Sequence, residues 1–218
     1  MIKALVFDFD GVLADSEPLH LRAYQEVLST FGLTLTREEY YAHYLGYDDD
    51  GVFTMLAAAH GFELDARRLD ALVAEKGRVF DAIIESGDLL YPRAVSCIER
   101  MAPVFPLGIA SGALRPEIES ILRGSRLHHH FRFIVASGDT PVSKPAPDPY
   151  RRAVELHGVM PFECLAIEDS HWGVESAKAA GLWCVAITNT YPRDQLALAD
   201  RVIDSLDELT PAFVVGLS

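Results

Sequence analysis

Short, mostly apolar runs alternate along this chain with longer segments of helical period. The runs Ala4–Phe9, Leu107–Ala110, Phe133–Val135, Cys164–Ile167 and Trp183–Ile187 are too brief for helices, and apolar runs of that length read as buried strands. Arg201–Ile203 adds a sixth, shorter one. Strands alternating with helices predict an α/β fold, a Rossmann-like parallel sheet core. Residues 16–86 break the alternation. They carry only helical patterns, over Pro18–Phe31, Arg37–Leu45, Asp49–His60 and Ala66–Glu85. A structureless loop of that length has no place in a compact domain, so an inserted α-helical domain is predicted there. The core domain is then residues 1–15 and 87–218, with Gly87 and Pro92 marking the return.

Composition narrows the function classes. Half of the 218 residues are hydrophobic, enough for a sizeable core, and the formal net charge is −13. Nucleic-acid binding needs clustered Lys and Arg, and that charge argues against it. The three cysteines, Cys97, Cys164 and Cys184, lie far apart in apolar surroundings and read as reduced, buried thiols rather than metal ligands. The start "MIKALVFDFDG" has neither a basic n-region nor a long apolar stretch, and no run of membrane-spanning length follows. A cytoplasmic protein with no membrane or nucleic-acid partner is expected.

Polar clusters stand at the ends of three strands. "LVFDFDGVLADSEPLH" runs from an apolar strand into Asp8, Asp10, Asp15 and Glu17. An unpaired buried carboxylate is costly, so a cation or a shifted pKa is implied. On a continuing strand Asp8 and Asp10 would point the same way, and Gly11 permits an immediate turn. A hard divalent cation, Mg²⁺, suits such oxygen donors. After the second strand, Ser111 and Gly112 offer a hydroxyl and turn amides to phosphate oxygens, or equally a helix cap before "RPEIESIL". Lys144 in "VSKPAPDPY" sits beside two prolines as a compact charge suited to a phosphoryl group, or as a solvated loop lysine. Glu168 and Asp169 end another strand and start a helix; capping explains one acid and not both. The triplet His128–His130 has no matching ligands nearby in sequence and reads as a solvated turn.

Taken in order, "DFDGVLADSEPLH", "ASG", "SKPAPDPY" and "IEDSHWGVESAKAAG" resemble the four motifs of the haloacid dehalogenase superfamily. The insert resembles the helical cap of its β-phosphoglucomutase and small-phosphatase subgroup. The resemblance implies Asp8 as nucleophile forming an aspartyl-phosphate and Asp10 as general acid and then base. It implies Mg²⁺ held by the Asp8 carboxylate, the Asp10 carbonyl and Asp169, with Glu168 beside them. Ser111, Gly112 and Lys144 would hold the phosphoryl oxygens. An acid at position 10 favours phosphate over halide chemistry, because halide needs no proton. His20 would orient Asp10, meet substrate or pack a hinge, and Trp172 would shape the crevice or pack. The expected activity is a Mg²⁺-dependent phosphatase acting on a small phosphorylated metabolite. The alternative is a β-phosphoglucomutase-type phosphosugar mutase, and a third reading is a silent Mg²⁺- or phosphate-binding regulator. A mutase needs a cationic cap loop for a second phosphate. Here "HYLGYDDDGVF" carries Asp48, Asp49 and Asp50, and no Lys or Arg lies between Arg37 and Arg67. The three acids meet a crevice mouth or start the next helix, and Lys76 and Arg78 remain as possible substitutes. Arg93 stands where similar sequences carry glycine after the proline, which questions the local turn.

Overall fold

Every predicted strand forms, and all six pair in parallel. The computed structural model describes residues 1–45, 47–84 and 89–217. The strands are β1 (Ala4–Phe7), β2 (Leu107–Ala110), β3 (Phe131–Val135), β4 (Cys164–Glu168), β5 (Trp183–Ile187) and β6 (Arg201–Ile203). Their order across the sheet is β3-β2-β1-β4-β5-β6. The chain moves one way from β1 to β3 and the other way from β4 to β6, so the order reverses between β1 and β4. In open parallel sheets such a reversal leaves a crevice beyond the carboxyl ends of the strands. All four residues of β1 and all five of β4 are buried, as central strands covered on both faces must be.

The chain divides into two compact units, Met1–Asp15 with Asp88–Ser218, and Ser16–Gly87. In the first, the sheet carries α5 (Ala94–Met101), α6 (Arg115–Gly124), α7 (Asp148–His157), α8 (His171–Ala179) and α9 (Pro211–Val215). Ala4 and Val6 of β1 share one apolar cluster with Tyr150 and Ala153 of α7, Val174 and Ala177 of α8, and Ala166 of β4. The three cysteines are buried free thiols, as their apolar settings predict. Arg93 takes φ −100°, which any residue adopts, and pairs with Asp207 at 3.2 Å, so this turn has no need of glycine.

The second unit is helical: α1 (Glu17–Ser29), α2 (Arg37–His43), α3 (Asp49–His60) and α4 (Ala66–Ile84). Thr36 caps α2 by accepting from the Glu39 amide, and Asp48 caps α3 by accepting from the Gly51 amide. Leu21, Tyr24, Val27, Leu28, Tyr40, Phe53, Leu56 and Leu72 form its buried centre. Among the described residues no helix is long and apolar enough to cross a membrane.

Two strand ends shift by two residues from the sequence reading. β1 stops at Phe7 rather than Phe9, because the amides of Leu13 and Ala14 both return to the Phe9 carbonyl and close a tight turn. Asp8 and Asp10 therefore lie beyond the strand, and strand alternation does not set their directions. β3 begins at Phe131 rather than Phe133, straight after a single 3₁₀ turn over His128–His130. His128 and His129 are exposed there, in keeping with a solvated turn.

Candidate active site

The sheet order brings the polar clusters together because β1 lies between β2 and β4. Asp8 continues the β1 ladder for one step, its amide donating to the Ile167 carbonyl at 2.9 Å. It leaves the sheet beside the end of β4, which carries Glu168, followed by Asp169. One oxygen from each of Asp8, Glu168 and Asp169 falls within 4.8 Å of the others, and all three residues are buried. Two glycines make room for them. Gly11 takes φ +75°, and a Cβ there would lie 1.8 Å from Asp169 Oδ2. A Cβ on Gly173 would lie 1.9 Å from Glu168 Oε1.

Lys144, from the loop between β3 and α7, supplies the opposing charge. Its Nζ lies 2.6 Å from Glu168 Oε1 and 2.9 Å from Asp8 Oδ1. Burial alone would lower the lysine pKa, but these two carboxylates outweigh it and hold the ammonium raised above its ordinary value. Burial pushes Asp8 up to about 7; Glu168 and Asp10 add to the rise, and Lys144 opposes it. Burial, with Asp8 and Glu168, also raises Asp169 well above the usual carboxylate range. One lysine cannot balance three neighbouring acids. The donors are all oxygen and their charge is under-compensated, which fits a hard divalent cation such as Mg²⁺.

Glu168 differs from its two neighbours in how its oxygens are used. Oε1 accepts from Lys144 Nζ and, at 2.7 Å, from the Tyr150 hydroxyl. Oε2 accepts from the Asp169 amide at 3.2 Å and from the Ser170 hydroxyl at 3.3 Å. Donors thus surround both oxygens of a fully buried side chain. Asp10 lies half-buried in the turn after Asp8. Ser111 is buried just past β2, its Oγ accepting from the Ala113 amide at 3.1 Å and keeping its own proton to donate. Gly112 beside it is exposed. Asp8, Glu168, Asp169 and Lys144 are thus in contact, and Ser111 and Gly112 stand at the end of the adjacent strand.

His20 and Asp48 belong to the helical unit. His20 stacks on Phe80 with ring centroids 4.1 Å apart, and its Nδ1 lies 2.7 Å from Lys76 Nζ. Burial, and then the Lys76 charge, hold its pKa well below the ordinary value. Lys76 is 1% exposed and paired with Asp49 at 2.9 Å, while Tyr24 donates to the same Asp49 oxygen at 2.6 Å. Of the three consecutive acids, Asp48 is a helix cap and Asp49 a lysine partner. Trp172 is partly exposed and meets Tyr191 edge-on. Sequence reasoning missed Tyr150, Asn189 and Thr190. Tyr150 lies within the quoted "SKPAPDPY", six residues after Lys144, but nothing in the string marks it as a partner of Glu168. Asn189 and Thr190 follow β5, a strand end that shows no acidic cluster.

Residues 2–181 match the haloacid dehalogenase-like hydrolase family. Protein CbbY of Rhodobacter capsulatus is 34% identical over 217 residues, covering 94% of this chain and 94% of its own. Fructose-1-phosphate phosphatase YqaB of Escherichia coli is 30% identical over 185 residues, covering 84% of this chain and 95% of its own. The crystal structure of CbbY from Rhodobacter sphaeroides in complex with phosphate superposes with a TM-score of 0.88 at 28% identity, covering 99% of this chain and 100% of that one. With the matched residues spanning most of its length, this chain belongs to the haloacid dehalogenase-like hydrolase family.

Proposed function

We propose that the chain is a Mg²⁺-dependent phosphatase of small phosphate monoesters, working through an aspartyl-phosphate on Asp8. The observation that carries this reading is the buried cluster in which Lys144 bridges Asp8 and Glu168 while Asp169 stands within reach of both. Two relatives support it: one is a fructose-1-phosphate phosphatase, and another was crystallised with phosphate. Residues 16–86 are the cap domain, and residues 1–15 with 87–218 the catalytic core.

Asp8, Asp169 and the Asp10 carbonyl would hold the metal, with Glu168 beside them. When bound, Mg²⁺ supplies charge that draws the substrate phosphate towards the carboxylates and offsets their repulsion. Glu168, its oxygens already occupied by donors, serves chiefly to fix Lys144. Lys144 keeps Asp8 ionised and, with the Ser111 hydroxyl and the Gly112 amide, takes the phosphoryl oxygens. An Asp8 oxygen attacks phosphorus, the ester bond breaks, and Asp10 gives its proton to the departing alkoxide. Asp10, now a carboxylate, takes a proton from water. The resulting hydroxide attacks phosphorus and Asp8 leaves as carboxylate, releasing phosphate.

The mutase reading loses support because Lys76 is buried against Asp49 rather than offered to a second phosphate. Arg78 is exposed and paired with Glu75. A silent regulator has no use for an acid at Asp10. The test is phosphate release from singly phosphorylated metabolites and an aryl phosphate, with Mg²⁺ and with EDTA. Turnover that EDTA abolishes and Mg²⁺ restores is expected; full activity in EDTA contradicts the metal role. Supplied with β-glucose 1-phosphate and catalytic glucose 1,6-bisphosphate, the enzyme should release phosphate. Rapid glucose 6-phosphate without matching phosphate release would establish the mutase instead.

A further inference from the structure

The loop after β5 touches the acidic site from a side that none of the four motifs covers. Asn189 Nδ2 donates to the Gly11 carbonyl at 2.7 Å. The Thr190 hydroxyl stands with the Asp169 carboxylate against Gly11, and it opposes the rise that burial and the neighbouring acids impose on Asp169. These contacts converge, because a Cβ on Gly11 would meet Asp169 Oδ2 at 1.8 Å and Thr190 Oγ1 at 2.7 Å. Three separate chain segments therefore meet at one point: the turn carrying Asp10 and Gly11, the end of β4, and this loop.

The loop is itself held on both sides. The Thr188 amide donates to the Ile203 carbonyl at 3.1 Å, and its hydroxyl donates to Asp204 at 2.8 Å, tying the loop to β6. Tyr191 lies against His171 at the start of α8, with ring centroids 5.1 Å apart. A hydrogen bond from such an anchored group fixes one rotamer of a carboxylate. Without it, a buried acid crowded by like charges turns away.

We infer that Thr190 and Asn189 are positioning residues for cation binding: Thr190 aims Asp169, and Asn189 fixes the Asp10–Gly11 turn. The inference rests on the proposed metal role of Asp8, Asp10 and Asp169. Neither residue touches the reacting atoms. Each acts through its neighbour, and groups that orient a ligand carboxylate typically change metal affinity about ten- to hundredfold when removed.

The test is calorimetric titration of the full-length chain with Mg²⁺ at pH 8, without substrate. Thr190→Val keeps the side chain's shape and removes the hydroxyl; it should weaken Mg²⁺ binding at least about tenfold. Thr190→Ser should restore affinity to within about threefold of the original. Asn189→Ala should weaken it by a smaller factor, with the unfolding midpoint in EDTA little changed. If Thr190→Val does not fold, Thr190→Ala against Thr190→Ser makes the same comparison. Unaltered Mg²⁺ affinity in Thr190→Val, or in Thr190→Ala, overturns the inference while leaving the phosphatase reading intact. Equal losses in the valine and serine variants also overturn it, because a mere packing role predicts them. Failure of the unmodified chain to bind Mg²⁺ removes the metal role and this inference together.

Discussion

Replacing Lys144 by methionine removes the charge while keeping most of the apolar stem. The ammonium faces Glu168 at 2.6 Å and Asp8 at 2.9 Å, with the lysine side chain 12% exposed and Glu168 not exposed at all. At an effective dielectric of 20, the gross attraction at such distances is about 6 kcal/mol for each pair. Desolvating the lysine offsets much of that. Removing one partner still strands the other charges, and the loss for a buried pair broken in this way is about 3–5 kcal/mol. The cost depends on pH with a definite sign. Asp8 has its pKa raised on folding, so the folded chain binds more protons than the unfolded one, and stability falls as pH rises from the ordinary carboxylate range through about 7. Lys144 opposes that rise, so without it the fall steepens. At pH 5.5 Asp8 is largely protonated and offers Lys144 little charge; at pH 8 it is largely ionised and offers its full attraction. Lys144→Met should therefore cost more at pH 8 than at pH 5.5. Both tryptophans, Trp172 and Trp183, lie in the unit built on the sheet, so urea unfolding in EDTA followed by their fluorescence reports on that unit. A loss below about 1 kcal/mol at both pH values, well short of the range for a broken buried pair, would refute the reasoning. So would a larger loss at pH 5.5.

On the proposed metal role, Mg²⁺ would displace protons from Asp8 and Asp169, whose pKa values burial raises, so its stabilising shift in melting temperature should grow from pH 5.5 to pH 8. A shift that is constant or larger at pH 5.5 would contradict this. Tyr150→Phe removes a buried donor from Glu168 and should cost about 1–2 kcal/mol in urea, with Mg²⁺ affinity changed less than threefold. A large affinity loss would show that Glu168 ligates the metal directly. Asp8→Asn should abolish turnover in a folded protein. Asp10→Asn should lose most activity on alkyl phosphates and much less on 4-nitrophenyl phosphate, whose leaving group needs no proton. Equal losses on both substrates would exclude the acid role.

The strands were legible because a central parallel strand has to be apolar on both faces. Trp183–Ile187, Leu107–Ala110 and Arg201–Ile203 form with the ends their composition marks. Convergence of the motifs was legible too, since ligands gather beyond strand ends in such sheets. Pairwise geometry was not. The string "DFDG" suggests a strand carrying two aligned acids, yet backbone hydrogen bonds to Phe9 turn the chain between them. Tyr150 is one ring among many until α7 packs on β1 and β2 and brings its hydroxyl to Glu168. Asn189 and Thr190 reach their partners across 178 and 21 residues of chain, a relation that no local pattern records. The row Asp48–Asp50 looked like one feature. A helix cap and a buried ion pair divide it, because α3 sets consecutive side chains on different faces.

The central claim, that phosphoryl transfer passes through Asp8, is tested most directly by catching the intermediate. Asp10→Asn, supplied with Mg²⁺ and 4-nitrophenyl phosphate, should form the aspartyl-phosphate and hydrolyse it slowly, because no base remains to activate water. Acid quenching and peptide mass spectrometry should then find one added phosphoryl group on Asp8, absent when Asp8→Asn is combined with it. A variant that turns over this substrate with Asp8 unmodified at every quench time would contradict the account.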